Sequence, residues 1–264
     1  MQERRYMDDL NFDESFEVFG LEPKRLIKRN VPIYQTKEGE NAIVIIPPLY
    51  EEWIAEKKHI NKKFGIAIYY HRGVTPDNGM FVCLRLMKGE RCPFCEKWMQ
   101  LKDRQEKKIY APKVRGAIWV VDVSSKEAQA EGVRLWLFGW AVRTFVDIQL
   151  CLRDPETKQV HNILRDPRVI FFVGRQEGEG SFRNIVVSSP RLGTNPVDPN
   201  KFEMWKEQVR YFSEIIDFPT QDELEPFFRM LEQKEEEQQG LDVSESESDR
   251  VYVDDISNDD DIPL

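Results

Sequence analysis

Three of the four cysteines and one of the three histidines fall between positions 71 and 95. The order is His71, eleven residues, Cys83, eight residues, Cys92, two residues, Cys95. One imidazole and three thiolates make a complete tetrahedral donor set for Zn2+, with Zn–S bonds of about 2.3 Å. Cys92-Pro93-Phe94-Cys95 is a Cys-x-x-Cys knuckle, which turns two sulfurs toward one point. His71 follows one apolar run, Phe64–Tyr70, and Cys83 lies within a second, Met80–Met87. These runs read as two strands around a Pro76-Asp77-Asn78-Gly79 turn. A hairpin and a knuckle, each giving two ligands, predict one closed, structural Zn2+ site.

Other chemistries use similar residues. A glutaredoxin-like dithiol oxidoreductase would use Cys92 and Cys95, but that motif directly follows a buried first strand. Here it follows the polar Lys88-Gly89-Glu90-Arg91, and Cys83 and His71 are left without a role. A zinc deaminase needs His-x-Glu and Pro-Cys-x-x-Cys. Position 73 is Gly and position 91 is Arg, so both halves fail. Buried cysteines without a ligand are the plain structural alternative; three within thirteen residues, close to a strand-end histidine, argue against it.

The elements that must position these ligands read as mainly β. Ala42–Pro47 is the first strong strand. In Phe64–Tyr70, alternation puts Phe64, Ile66, Ile68 and Tyr70 on one face, with Tyr69 and His71 on the other. In Met80–Met87, Val82, Leu84 and Leu86 oppose Phe81, Cys83 and Arg85. Glu96–Lys108 reads as a short charged helix rooted in the knuckle. Ala117–Val123 and Val133–Gly139 are strands, and Ala141–Leu152 has helical apolar spacing. Arg168–Val173 and Phe182–Ser188 pair through the Gly178–Gly180 loop. Lys201–Ile216 reads as an amphipathic helix, and Thr220-Gln221-Asp222-Glu223 is a capping box that starts another.

A chain of 264 residues with 41% hydrophobic side chains holds one large domain plus tails. The net charge of −9 hides a division. Residues 232–264 carry thirteen acidic and two basic side chains, whereas residues 53–125 carry fifteen basic and seven acidic ones. A basic body with an acidic, Ser-rich, disordered tail predicts a polyanionic partner and a tail that competes with it. Few cysteines outside the metal set imply a reducing compartment. No apolar run reaches the length of a signal-peptide core or a membrane span, so an intracellular protein without membrane partners is expected. No nucleotide loop, acidic metal cluster or nucleophile–base pair suggests an enzyme.

Short strands with a basic, aromatic-rich face suit an OB-fold-like barrel that tracks single-stranded nucleic acid, with an inserted zinc-binding subdomain and C-terminal helices. The divisions expected are an N-terminal arm (1–40), the zinc-containing core (41–218), a C-terminal helix (219–240) and an acidic tail (241–264). Rings and cations interleave: Tyr69 and Phe81 with Arg85, Tyr110 among Lys107, Lys108, Lys113 and Arg115, Arg134 with Trp136, and Phe182 with Arg183. For each ring the competing role is core packing; stacking is expected for Trp136, Phe182 and Tyr69, while Phe138, Phe171 and Phe172 are assigned to the core.

His-x11-Cys-x8-Cys-x-x-Cys is similar to the zinc motif of the T-even phage single-stranded DNA-binding proteins (helix-destabilising proteins). The run Glu131–Gly139 before a helix looks like that family's strand–Phe-Gly–helix segment, with Trp136 at a DNA-contacting aromatic. Val169–Val173 and Gly180–Asn184 resemble its next strands, with Phe182 at a DNA-facing position. The resemblance covers roughly residues 40–215. It implies a zinc-containing OB-fold protein that coats single-stranded DNA in replication, recombination and repair, in the cytoplasm of an infected bacterial host. The family's aromatic pair before the Ala117–Val123 strand is here Val114 and Arg115. Its basic N-terminal arm, which links neighbouring copies, is here an acidic stretch, with only Lys24, Arg25, Lys28 and Arg29 as substitutes for self-association. Asp259-Asp260-Asp261-Ile262-Pro263-Leu264 looks like the acidic tip of bacterial single-stranded DNA-binding proteins, which implies recruitment of replication and repair proteins. The alternatives from other classes are a zinc-ribbon accessory subunit of a nuclease or primase and the dithiol oxidoreductase.

Overall fold

The computed structural model describes residues 25–37, 39–74, 79–139, 144–148, 169–177, 183–192 and 197–229. Their centre is β5 (Lys113–Asp122), ten residues long and buried from Gly116 onward. One edge of β5 pairs antiparallel with β6 (Arg134–Phe138), which it reaches through the short helix α5 (Lys126–Ala130). Its other edge is shared: the first half pairs with β3 (Ile66–Arg72) and the second with β2 (Gly39–Ile46). Beyond β2 lie β7 (Val169–Glu177) and β8 (Arg183–Leu192), an antiparallel pair as expected. The short β1 (Ile33–Tyr34) adds in parallel to β6, and β4 (Met80–Val82) adds antiparallel to β3. Eight strands thus form one mixed sheet. Among the described residues no pairing joins its outer strands, so the sheet is open and the barrel expected from the sequence is not closed.

Alternation along the central strands feeds two cores. Val44, Ile46, Trp119, Val121 and Leu135 face one side. They are covered by α1 (Glu52–Ala55), α7 (Pro199–Glu207) and α8 (Phe212–Ile215), through Ile54, Phe202, Trp205, Phe212 and Ile215. Ile43, Ile45, Ile118, Val120, Trp136 and Phe138 face the other, under Phe145 and Ile148 of α6 (residues 144–148). A sheet covered on both faces needs no polar face, hence the near-continuous β-branched runs.

Several expectations change. Met80–Met87 is a three-residue strand followed by α2 (Leu84–Lys88), which ends on Gly89 in the left-handed conformation at φ 81°. The charged helix Glu96–Lys108 is two helices, α3 (Pro93–Gln100) and α4 (Arg104–Tyr110). Asp103 separates them, its carboxylate accepting from the N–H groups of Gln105 and Glu106. Lys201–Ile216 is likewise split into α7 and α8. Residues 25–34, placed in the N-terminal arm, join the body: Leu26, Ile27, Val31 and Tyr34 are buried, and Lys28 donates to the Ile215 carbonyl. Thr220 and Glu223 form the reciprocal capping box that opens α9 (residues 221–229). No helix among the described residues is long and apolar enough to cross a membrane.

Candidate metal centre

β3 delivers His71 near its end, and β4 stops one residue before Cys83. Cys83 then caps α2, while Cys92 caps α3 and Cys95 sits in the first turn of that helix. Pro93 suits the first helical position, because its fixed φ is helical and its missing N–H would have no partner there. The four donor atoms lie within 4.8 Å of one another, and all four residues are buried. Cys92 Sγ and Cys95 Sγ are 3.5 and 3.6 Å from His71 Nε2, and Cys83 Sγ is 3.4 Å from Cys95 Sγ. A tetrahedral zinc with ordinary bond lengths needs S···N edges of about 3.6 Å and S···S edges of about 3.8 Å. Three of the six donor–donor edges therefore lie close to those of a coordination tetrahedron, and the other three are no longer than 4.8 Å.

The hydrogen bond behind the imidazole agrees. His71 Nδ1 lies 2.8 Å from the Tyr110 carbonyl. A carbonyl only accepts, so the proton sits on Nδ1 and the Nε2 lone pair faces the sulfurs, as a metal-ligating histidine requires. Three clustered thiolates repel one another without a cation. Hydrogen bonds with Cys83 and Cys95 hold the Cys92 thiol far below its usual range, whereas its hydrogen bond to Cys92 pushes Cys83 far above it. For Cys95 the bond with Cys83 lowers the value, but the bond with Cys92 and burial outweigh it, and the thiol is pushed up to about 12. A divalent cation resolves this competition by letting every sulfur ionise. These residues fit a buried metal ion, and the structural His71–Cys83–Cys92–Cys95 set is the one expected from spacing.

A third core surrounds the ligands. Phe81, Leu84 and Phe94 pack with the cysteines on one side, and Leu224 and Phe228 of α9 close the other. Phe227 lies 5.0 Å from the Phe94 ring and 5.9 Å from the Phe81 ring. The Arg91 guanidinium stands 4.7 Å over Phe228. The C-terminal helix set apart in the sequence is thus the lid of this Cys/His knot.

The structure redistributes the residues expected to touch a nucleic acid. Trp136 is 2% exposed, edge-on to Tyr34 and 4.8 Å from Phe138. A ring covered on that face has no surface on which a base can stack, so this expectation is corrected: Trp136 is a core residue. Phe81, at 6% exposure between Phe94 and Phe227, is corrected in the same way. Tyr69 is half-buried beside His59, with its hydroxyl pushed upward in pKa by burial. Tyr110 is half-buried, and its carbonyl serves His71. Arg115 lies 5.8 Å over the Tyr70 ring, and Arg134 pairs with Glu131 on its own surface. Arg85, Lys108 and Lys113 are exposed; burial of part of its stem and the nearby Arg72 lower the Lys113 ammonium pKa. Arg183 opens β8, where the backbone alone is described. Phe182, Cys151 and the tip Asp259–Leu264 lie outside the described residues.

Trp98, outside the set of rings expected from the sequence, is half-buried on α3 with Lys107 5.6 Å over its ring. Its signal in the sequence is a tryptophan between Lys97 and Lys102, masked by the many charges of the segment Glu96–Lys108. No protein-family model and no curated protein matches the chain.

Proposed function

We propose that the chain is a zinc-containing, non-enzymatic single-stranded DNA-binding protein whose sheet is an OB-type scaffold interrupted by the metal knot. The observation that supports this reading is the coincidence of the metal centre with the most basic part of the molecule. Residues 53–125 hold fifteen basic against seven acidic side chains, and Arg85, Lys88, Lys102, Arg104, Lys108 and Lys113 are exposed on or beside the knot. The metal folds three short helices that could not bury enough apolar surface alone, and these helices carry the cations. Phosphates meeting them release counterions, which gives strong and salt-sensitive affinity. Cys83, Cys92 and Cys95 are between 0 and 4% exposed, which supports a structural site over dithiol exchange with a protein substrate.

In this reading the protein coats single strands during replication, recombination and repair in the cytoplasm of a phage-infected bacterium. The segment Asp259–Leu264 recruits partner enzymes, and the acidic tail competes with DNA for the basic surface. A metal assay joined to titrations with single- and double-stranded DNA tests the proposal. One equivalent of zinc and a strong single-strand preference are expected; metal-free protein, or equal affinity for the duplex, would overturn it. Deleting residues 241–264 should raise DNA affinity at low salt, with a gain that shrinks as salt rises.

A further inference from the structure

With Trp136 and Phe81 in the core, the question is which ring meets a base. The geometry points to Trp98, on the α3–α4 hairpin of the metal knot, as the stacking platform for a single-stranded nucleic acid; this rests on the single-strand reading above. Four observations carry it. First, α4 buries none of its seven residues and is held by its Asp103 cap and by the Tyr110 carbonyl on His71. The helix gives the third core only the half-buried Tyr110 at its end, so most of its sequence answers to something outside the fold. Second, apolar side chains remain open on both helices of the hairpin: Met99 is 48% exposed and Ile109 47%.

Third, the Trp98 ring is half-buried and topped by the mobile end of one lysine, Lys107, at 5.6 Å from its centroid. A lysine over an indole is a weak, exchangeable cation–π contact at an exposed site. A base takes its place at little cost, and the freed ammonium moves to the adjoining phosphate. Fourth, charge complementarity chooses the occupant. Residues 97–115 contain seven Lys or Arg and two Asp or Glu. Arg85 leans onto this hairpin, donating to the Met99 sulfur at 3.3 Å. An acidic protein surface would satisfy the cations but leave the indole face unused, whereas a single strand offers a phosphate and a π-face at every step.

The test uses the full-length, metal-loaded protein and a dye-labelled oligothymidine of about 16 nucleotides. Trp98→Ala should weaken binding about fivefold to a hundredfold while zinc content and melting temperature stay at the parent values. Trp98→Phe should restore most of the loss, because a phenyl ring still stacks. A wild-type experiment stands independently of any variant: iodouracil-substituted strands, photolysed in the complex, should crosslink within the peptide that carries Trp98. Unchanged affinity in a zinc-replete Trp98→Ala protein, or crosslinks confined to other peptides, would overturn the assignment and leave the single-strand reading intact. Wild-type protein that ignores oligothymidine would overturn both.

Discussion

At the scale of single residues, the candidate metal centre turns on one proton. The Tyr110 carbonyl fixes the His71 tautomer and so aims Nε2 at the sulfurs. His71→Ala or Cys83→Ser should therefore abolish stoichiometric zinc, measured by elemental analysis on folded protein. The sign of the pH dependence follows from the thiols. Without a cation, hydrogen bonds to Cys92 keep Cys83 raised and help push Cys95 up to about 12, so both hold protons at neutral pH. Zinc must displace those protons. Loading should release acid, and affinity should fall as pH is lowered, which calorimetry in buffers of different ionisation enthalpy would measure. Trp136 supplies a contrasting residue. Trp136→Ala should cost about 3–5 kcal/mol of stability in denaturant melts, with DNA affinity per folded molecule unchanged.

At the scale of elements, the described structure is tied together by groups far apart in sequence. Glu51 is buried just before α1, yet its carboxylate accepts from the N–H groups of Phe212 and Ser213 at 2.5 and 3.0 Å, and from the Trp53 indole at 2.8 Å. It thus caps α8 from 161 positions away. Glu51→Gln keeps the shape but removes the charge and one acceptor oxygen. A loss of about 1–3 kcal/mol is expected in chemical denaturation. No local pattern announces such a contact. What the sequence does announce is local: the ligand spacing, the β2, β5 and β6 strands, the β7–β8 pair, and the Thr220–Glu223 box. Cys83 shows the limit. Leu84-Arg85-Leu86-Met87 continues the apolar alternation of Met80–Val82, so a strand reading runs straight through a residue that starts a helix. The same limit misplaced Trp136. Alternation gave it a face shared with Arg134, but only the packing of Tyr34 and of Phe145 beside Phe138 shows that this face is covered.

At the scale of the whole molecule, the sheet and the knot are stabilised by different physics. Two cores of aliphatic and aromatic side chains hold the sheet, and burial of that kind tolerates the loss of any one ligand. The third core is small and has the four donors at its centre, so in the metal-bound reading it depends on a cation. Its lid, α9, rests on it through Leu224, Phe227 and Phe228. In the zinc-bound reading, the division has a practical outcome for a cell short of zinc. Three phenylalanine rings, at positions 81, 94 and 227, pack on one another beside the ligands, and Phe228 lies with them under Arg91. Chelation should therefore leave the sheet folded while turning the knot into a sticky patch of the kind that chaperones and hydrophobic dyes recognise. Circular dichroism should stay largely sheet-like as a strong chelator is added, while dye fluorescence rises and particle size grows with time. Unchanged dye fluorescence in demonstrably zinc-free protein would show that the rings stay closed on their own. Newly made chain lacking metal would thus advertise its own incompleteness, and zinc supply would set how much of it escapes clearance.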